Sequence, residues 1–253
     1  MKRILSVVLL LALCVSMITS CDSVTSALSK ADKALQEAPY TVTMSMDFDC
    51  ENATLNAVFD AMTVEFPVTV DGENLYMDMS TEVMGFKTGI SVTVVDSVVY
   101  SKTELLGQSV RCKATLDAEQ LEEYLRENNT ELPVTSENFE TLTVEKADGK
   151  QVITCSGITT EGLTAMNELL SDSLTAMGAE AAVGDLSLVI TLADGKYESM
   201  ALTASYSVTV AGETHTVSLT MNAKYSYEGV QPITAPADAD SYKEVSFDEI
   251  PGQ

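Results

Sequence analysis

Side chains that could do covalent or acid–base chemistry are few in this chain, and they do not converge on a reaction. The single histidine, His215, lies on the apolar parity of a strand pattern beside a turn, where a packed or half-exposed imidazole is expected rather than a catalytic one. One histidine without a partner makes no metal centre of the usual kind. No serine stands three residues before a lysine, and the nearest approach to a nucleophile elbow, Gly107-Gln-Ser109-Val-Arg111, lacks its closing glycine. CxxC, HExxH and phosphate-loop patterns are all missing. Asp47, Asp49 and Glu51 alternate as calcium ligands would, but the glycine such a loop requires after them is not there. The expectation is a protein that is not an enzyme and needs no cofactor.

The cysteines divide into two kinds. Cys50, Cys112 and Cys155 keep strand spacing with apolar neighbours and read as small core residues; one disulfide among them is open to an exported protein, with no pairing indicated. Cys21 is different. It follows a basic start at Lys2 and Arg3 and an apolar run, Ile4 to Ile18, of about fifteen residues, too short for a membrane span of ~20. That is the pattern of an export signal, and the Ile18-Thr19-Ser20-Cys21 that closes it resembles the lipobox of bacterial lipoproteins. The resemblance implies a signal peptide over 1–20, a diacylglycerol and further acyl chains such as palmitate on Cys21, and a protein held at the extracytoplasmic face of the cell membrane. Two or more acyl chains hold far better than one.

With Lys2 and Arg3 gone, 12 basic residues face 38 acidic ones, a formal charge of −26. Nucleic acid is excluded as a partner, because binding it requires neutralising phosphates with cations. Anionic headgroups would repel the body, which leaves the acyl anchor as its hold on the membrane.

What these elements build is legible in one stretch, YTVTMSMDFDC, Tyr40 to Cys50. Its even positions are apolar and its odd positions are polar, the mark of a strand with one buried and one wet face. Before it, Val24, Ala27, Leu28, Ala31 and Leu35 predict a short helix over 24–37, stopped by Pro39. After it, alternating runs recur through Met62–Val70, Leu75–Met79, Ile90–Val94, Val98–Tyr100 and Gln108–Leu116. Turns fall at Asp71-Gly72 and Asp96-Ser97, and Pro67, on the wet parity, points to an edge or a bulge. Asp117 and Gln120 form the two ends of a capping box that starts a helix carrying Leu121 and Tyr124.

The second half repeats the style. A hairpin turns at Asp148-Gly149, and Thr159 or Thr160 opens the longest helix, with Leu163, Met166, Leu169, Leu170, Leu174 and Met177 on one face. Three long strands follow, with turns at Asp194-Gly195 and Ala211-Gly212. Val68-Thr-Val-Asp-Gly-Glu73 is echoed by Val208-Thr-Val-Ala-Gly-Glu213, either as a duplicated half or as convergence of similar hairpins. The expectation is an α+β domain of about eleven antiparallel strands and three helices, the helices covering one face of the sheet. By segment, 21–38 is the lipidated N-terminus, linker and short helix, 39–236 a single domain, and 237–253 an acidic tail, extended or disordered.

Taken together, the lipobox, the short helix, the Y-T-V-T-M-S-M strand, VVYSK before LDAEQLEEYL, and the closing strand leading into QPITAPADAD resemble uncharacterised Gram-positive lipoproteins related to the LolA/LolB and LppX/LprG fold. The resemblance implies a curved antiparallel half-barrel whose concave face is closed by helices around an apolar cavity for acylated or lipid ligands. No functional residue of those carriers matches a position here. From parity alone, Met44, Met46, Phe48, Met62, Phe66, Met77, Met79 and Met166 are the candidate cavity wall, since methionine suits adaptable apolar pockets. The expected function is binding of a lipid or other hydrophobic ligand by a membrane-anchored lipoprotein; the alternative is a non-enzymatic cell-envelope interaction or scaffold module with a filled core.

Overall fold

Tight hairpins form where the residues tolerate left-handed backbone. Asp96 and Ser97 (φ 51° and 61°), Asp148 and Gly149 (52° and 78°), and Asp194 and Gly195 (51° and 75°) each place positive φ at both central positions. That geometry matches the right-handed twist of a two-residue hairpin. The turns order the chain in the computed structural model, which describes residues 22–52, 56, 64–83, 86–105, 107–121, 124, 139–164, 167, 180–210 and 213–250. Cys21, Met62, Met166 and the Ala211-Gly212 turn lie outside the described residues, as does most of the expected helix after Thr160.

Helix α1 spans Asp22–Glu37. The strands are β1 Tyr40–Cys50, β2 Val64–Asp71, β3 Asn74–Val83, β4 Phe86–Val95, β5 Val98–Leu105, β6 Gln108–Thr115, β7 Phe139–Ala147, β8 Lys150–Ile158, β9 Glu180–Ala193, β10 Lys196–Val210, β11 Glu213–Ser226 and β12 Lys243–Glu244. They form one open, curved, 12-stranded sheet in the order β12-β6-β5-β4-β3-β2-β1-β11-β10-β9-β8-β7. From the middle, β1 to β6 meander to one edge; the chain restarts at the other edge with β7 and meanders back until β11 pairs with β1. Among the described residues every pairing is antiparallel except that of β12, which runs parallel to β6. The echoed hairpins occupy unequal places: Val68 is on β2, which borders β1, while Val208 is on β10, one strand removed from it. The echo therefore marks similar hairpins rather than equivalent positions.

Register carries the predicted parity across the sheet. Phe66 pairs with Met44, Met44 with Ala223, Ala223 with Met200, Met200 with Ile190, and Ile190 with Ile153. All six side chains are buried, so one row of core crosses six strands. Helix α1 joins this core through Val24, Leu28 and Ala31, the i, i+4, i+7 stripe of an amphipathic helix. The capping box is present as predicted: the Asp117 N–H donates to Gln120 Oε1 at 3.1 Å, and the Gln120 N–H to Asp117 Oδ1 at 2.9 Å. Leu121 and Tyr124 behind it are buried in the core. Thr159 caps the next helical turn, accepting the Gly162 N–H at its side chain (3.2 Å) and the Leu163 N–H at its carbonyl (2.9 Å).

The C-terminal segment differs from expectation. Instead of trailing, residues 237–250 strap the β6 edge through β12 and two single 3-10 turns, Ala239–Ser241 and Phe247–Glu249. The Val245 N–H donates to the Lys113 carbonyl, Tyr242 meets Tyr100 edge-to-face at 5.5 Å, and Arg111 pairs with Asp238 at 3.4 Å. Ile250 is buried in the core. The acidic composition hid four apolar anchors, Tyr242, Val245, Phe247 and Ile250, spaced for short turns rather than for a strand or helix.

Where α1 docks, tyrosines gather. Tyr197 is buried on β10 and donates its hydroxyl to Asp32 of α1 at 2.8 Å. Its ring lies 5.5 Å from that of Tyr225, and Tyr40 stands 6.1 and 6.3 Å from Tyr225 and Tyr227. Burial pushes Tyr40 up to about 12 and Asp32 above the usual carboxylate range, the Tyr197 hydrogen bond pulling Asp32 partly back. Because the folded-state pKa of Asp32 lies above its unfolded value, the stability it contributes is full below the unfolded pKa and is lost as pH rises through the folded one. Asp32→Asn keeps an acceptor for Tyr197 without titrating. Relative to the wild type it should gain stability as pH climbs through that window and hold the gain at about pH 7, as read from urea midpoints. A difference that does not change with pH would contradict the part-buried Asp32–Tyr197 contact.

Candidate functional site

The inner apolar face has a deep part and an open part. Met44, Met46, Phe66 and Met77 are buried in the core, whereas Phe48 and Met79 are only partly buried and pack against it. The difference follows from position along the strands. Met44 and Phe66 face each other in the middle of the sheet; Met79 lies toward the end where β3 finishes, while Phe48 bridges the main core to a smaller buried cluster of Cys50, Tyr206 and Val217 further along β1. Structure and parity thus agree for the six described candidates.

Between β2 and β3 the ladder is incomplete at that open end. Val68 to Asp71 of β2 pair with Met77 to Asn74 of β3, and among the described residues the pairing stops there, leaving Phe66 and Met79 on either side of the divergence. Pro67, which has no N–H to give, sits at the break; it is an interior strand's proline, but on its β3 side it behaves as an edge one. The Ser80 N–H donates to Asp78 Oδ1 at 3.1 Å. Ile90 continues the inner row beside Met79, and Val110 and Leu105, on β6 and β5 at the same end, are 61% and 53% exposed.

The chemical groups singled out by sequence do not assemble. His215 is partly buried with Nε2 3.8 Å from the Glu213 carboxylate, and among the described residues no three His, Cys, Asp or Glu side chains could hold a metal ion. Cys50, Cys112 and Cys155 are buried free thiols, and burial pushes Cys155 up to about 11, which favours the unreactive protonated form. Two polar groups escape the sequence reading although two-residue spacing places them in line with Val99: Ser101 and Thr103, on the inward side of β5. Ser101 is 1% exposed, and among the described residues neither its hydroxyl nor the buried hydroxyl of Thr103 has a hydrogen-bond partner. No described helix is long and apolar enough to cross a membrane.

The class these observations define is a mostly-β protein built on one open, curved sheet. No protein-family model matches the chain, and no curated protein does. Among solved structures, the ywiB protein from Bacillus subtilis is similar at 10% identity, covering 76% of this chain and 94% of that one with a TM-score of 0.19. MucB in complex with MucA(peri) is similar at 10% identity over 83% and 99% of the two chains, TM-score 0.12. The Pseudomonas aeruginosa MucA/MucB complex gives 10%, 83%, 99% and 0.10. Scores this low assign neither a family nor a ligand, and the kinship with LolA/LolB and LppX/LprG-like lipoproteins remains a resemblance of sequence pattern.

Proposed function

We propose that this protein is a lipid-anchored extracytoplasmic lipoprotein that holds a lipid or other hydrophobic ligand between its sheet and the helices lying over the concave face, and that it does no catalysis. One observation carries the proposal. The inner apolar face continues past the main core into Met79 and Ile90, which keep accessible surface beside a divergence of β2 from β3, and Phe48 lies partly exposed between the main core and the Cys50–Tyr206–Val217 cluster. An apolar surface left partly open at the end of a packed core is where a hydrophobic guest gains most from leaving water. Val24, Leu28, Leu121 and Leu163, from three helical segments, contribute to the same apolar cluster and would form the lid side of such a space.

The anchor fits this picture through its short tether. Val24 is 1% exposed, and it stands three residues after Cys21, so an acylated Cys21 would hold the sheet within ~10 Å of chain from the bilayer surface. Cys21→Ser should abolish incorporation of labelled fatty acid and release the protein from membranes; unchanged labelling would rule out the anchor. Extraction of apolar compounds from the purified protein tests the ligand.

The filled-scaffold alternative is favoured by a different observation. Met44, Met46, Phe66 and Met77 are no more than 5% exposed, which is how side chains in an ordinary packed core behave. A protein that carries no apolar compound after purification would be read this way, with its polar outer strand faces as the working surface.

A further inference from the structure

We infer that the inner face of β5 carries a recognition site for a neutral hydrogen-bonding group, an ester or amide carbonyl, on an otherwise apolar ligand. This rests on the proposal that the inner face is a ligand wall. Ser101 stands in a row between Val92 and Cys112, and Thr103 stands one row nearer the open end, between Ile90 and Val110. Two hydroxyls in an apolar wall without partners among the described residues are unusual, because a buried donor normally finds an acceptor. The Cys112 thiol donates to the Ser101 carbonyl at 3.8 Å, not to its hydroxyl.

Charge decides what kind of group they would meet. Lys102 and Arg111 alternate to the opposite face of β5 and β6, where they pair with Glu104 (3.0 Å) and Asp238 (3.4 Å). A carboxylate or phosphate drawn in beside Ser101 would be buried without a cation, whereas a neutral carbonyl needs only the two donors. On one strand, hydroxyls two residues apart stand about 7 Å from each other, so they can serve successive oxygens of a ligand lying along β5. Its chain would leave past Thr103 along the open end, with Ile90 and Met79 on one side of it and the exposed Val110 on the other.

The test uses the full acylated chain in vesicles of neutral phosphatidylcholine, irradiated with a diazirine-bearing fatty acid methyl ester and, separately, with a diazirine-bearing alkane of equal length. Mass spectrometry maps and counts the adducts. The wild type should capture the ester on β3 to β6 about tenfold more than the alkane, the size of one to two hydrogen bonds. In Ser101→Ala/Thr103→Val the ester should fall to the level of the alkane, with alkane capture unchanged. An ester excess that survives the double substitution, or no excess in the wild type, overturns the site while alkane capture still supports a ligand wall. No capture of either compound removes the ligand wall, and the site with it. A second readout needs no ligand: replacing two unpaired hydroxyls by apolar groups of the same shape should raise Tm by about 2–4 °C. A lowered Tm would show the hydroxyls already engaged within the protein, and would overturn the site as well.

Discussion

Met44→Asp should cost several kcal/mol of stability and lower the urea midpoint sharply, while Thr43→Asp, one residue away, should shift stability by well under ~1 kcal/mol. Met44 is 2% exposed at the centre of the sheet, with Phe66 on one side and Ala223 on the other. A carboxylate there has no cation within the row, and burying it unpaired costs several kcal/mol, a large share of the ~5–15 kcal/mol that holds a typical domain together. Thr43 points the other way, with Lys224 as its cross-strand partner on β11, so an aspartate at 43 stays wet and gains an opposite charge. Circular dichroism with urea titration separates the two. Equal tolerance of both substitutions would mean that β1 does not present its even side to the core.

Gly89→Ala should be nearly as damaging, although it adds one methyl group. Gly89 lies on β4 at φ +150°, a conformation that side chains rarely adopt. A Cβ built there would stand 2.3 Å from the Met79 carbonyl oxygen and 2.5 Å from the Ser80 Cα. Both are backbone atoms, which no rotamer change can move aside, so β3 and β4 would have to separate where Ser80 faces Gly89. The expected cost is on the order of 3 kcal/mol, read as a lowered denaturant midpoint. Since Met79 and Ile90 flank this contact, hydrophobic-ligand binding should weaken with it. An unchanged midpoint would show that β3 and β4 do not approach so closely.

Much of this architecture is legible in residue order because its causes are local. The even-side burial of β1, the Asp-Gly and Asp-Ser turns, the α1 stripe and the Asp117–Gln120 capping box each follow from side chains within a few positions of one another. What escapes is non-local. That β1 meets β11, some 170 residues later in the chain, depends on closing a long loop, which no local pattern encodes. The strap over β6 escapes because its apolar residues are sparse within an acidic segment and dock singly. The divergence at Pro67 is half legible: the proline signals a missing donor, but not that the interruption falls on the β3 side alone. For the site, parity identifies Met44, Met46, Phe66 and Met77 as inward, yet cannot separate them from the partly buried Phe48 and Met79, because exposure depends on which distant residues cover each position.

The central claim, that the open inner face holds a hydrophobic ligand, is tested most directly by organic extraction and mass spectrometry of the full chain purified from the membranes of the cells that make it. An unrelated acylated protein prepared in the same way serves as the control. A ligand-binding lipoprotein should carry an apolar compound close to one per chain, enriched well above the control protein and separable from the acyl groups proposed at Cys21. Its amount should fall in a variant bearing Phe48→Asp and Met79→Asp. Recovery of only those lipids that the control protein also carries, with the sheet intact by circular dichroism, would contradict the claim and leave a filled scaffold.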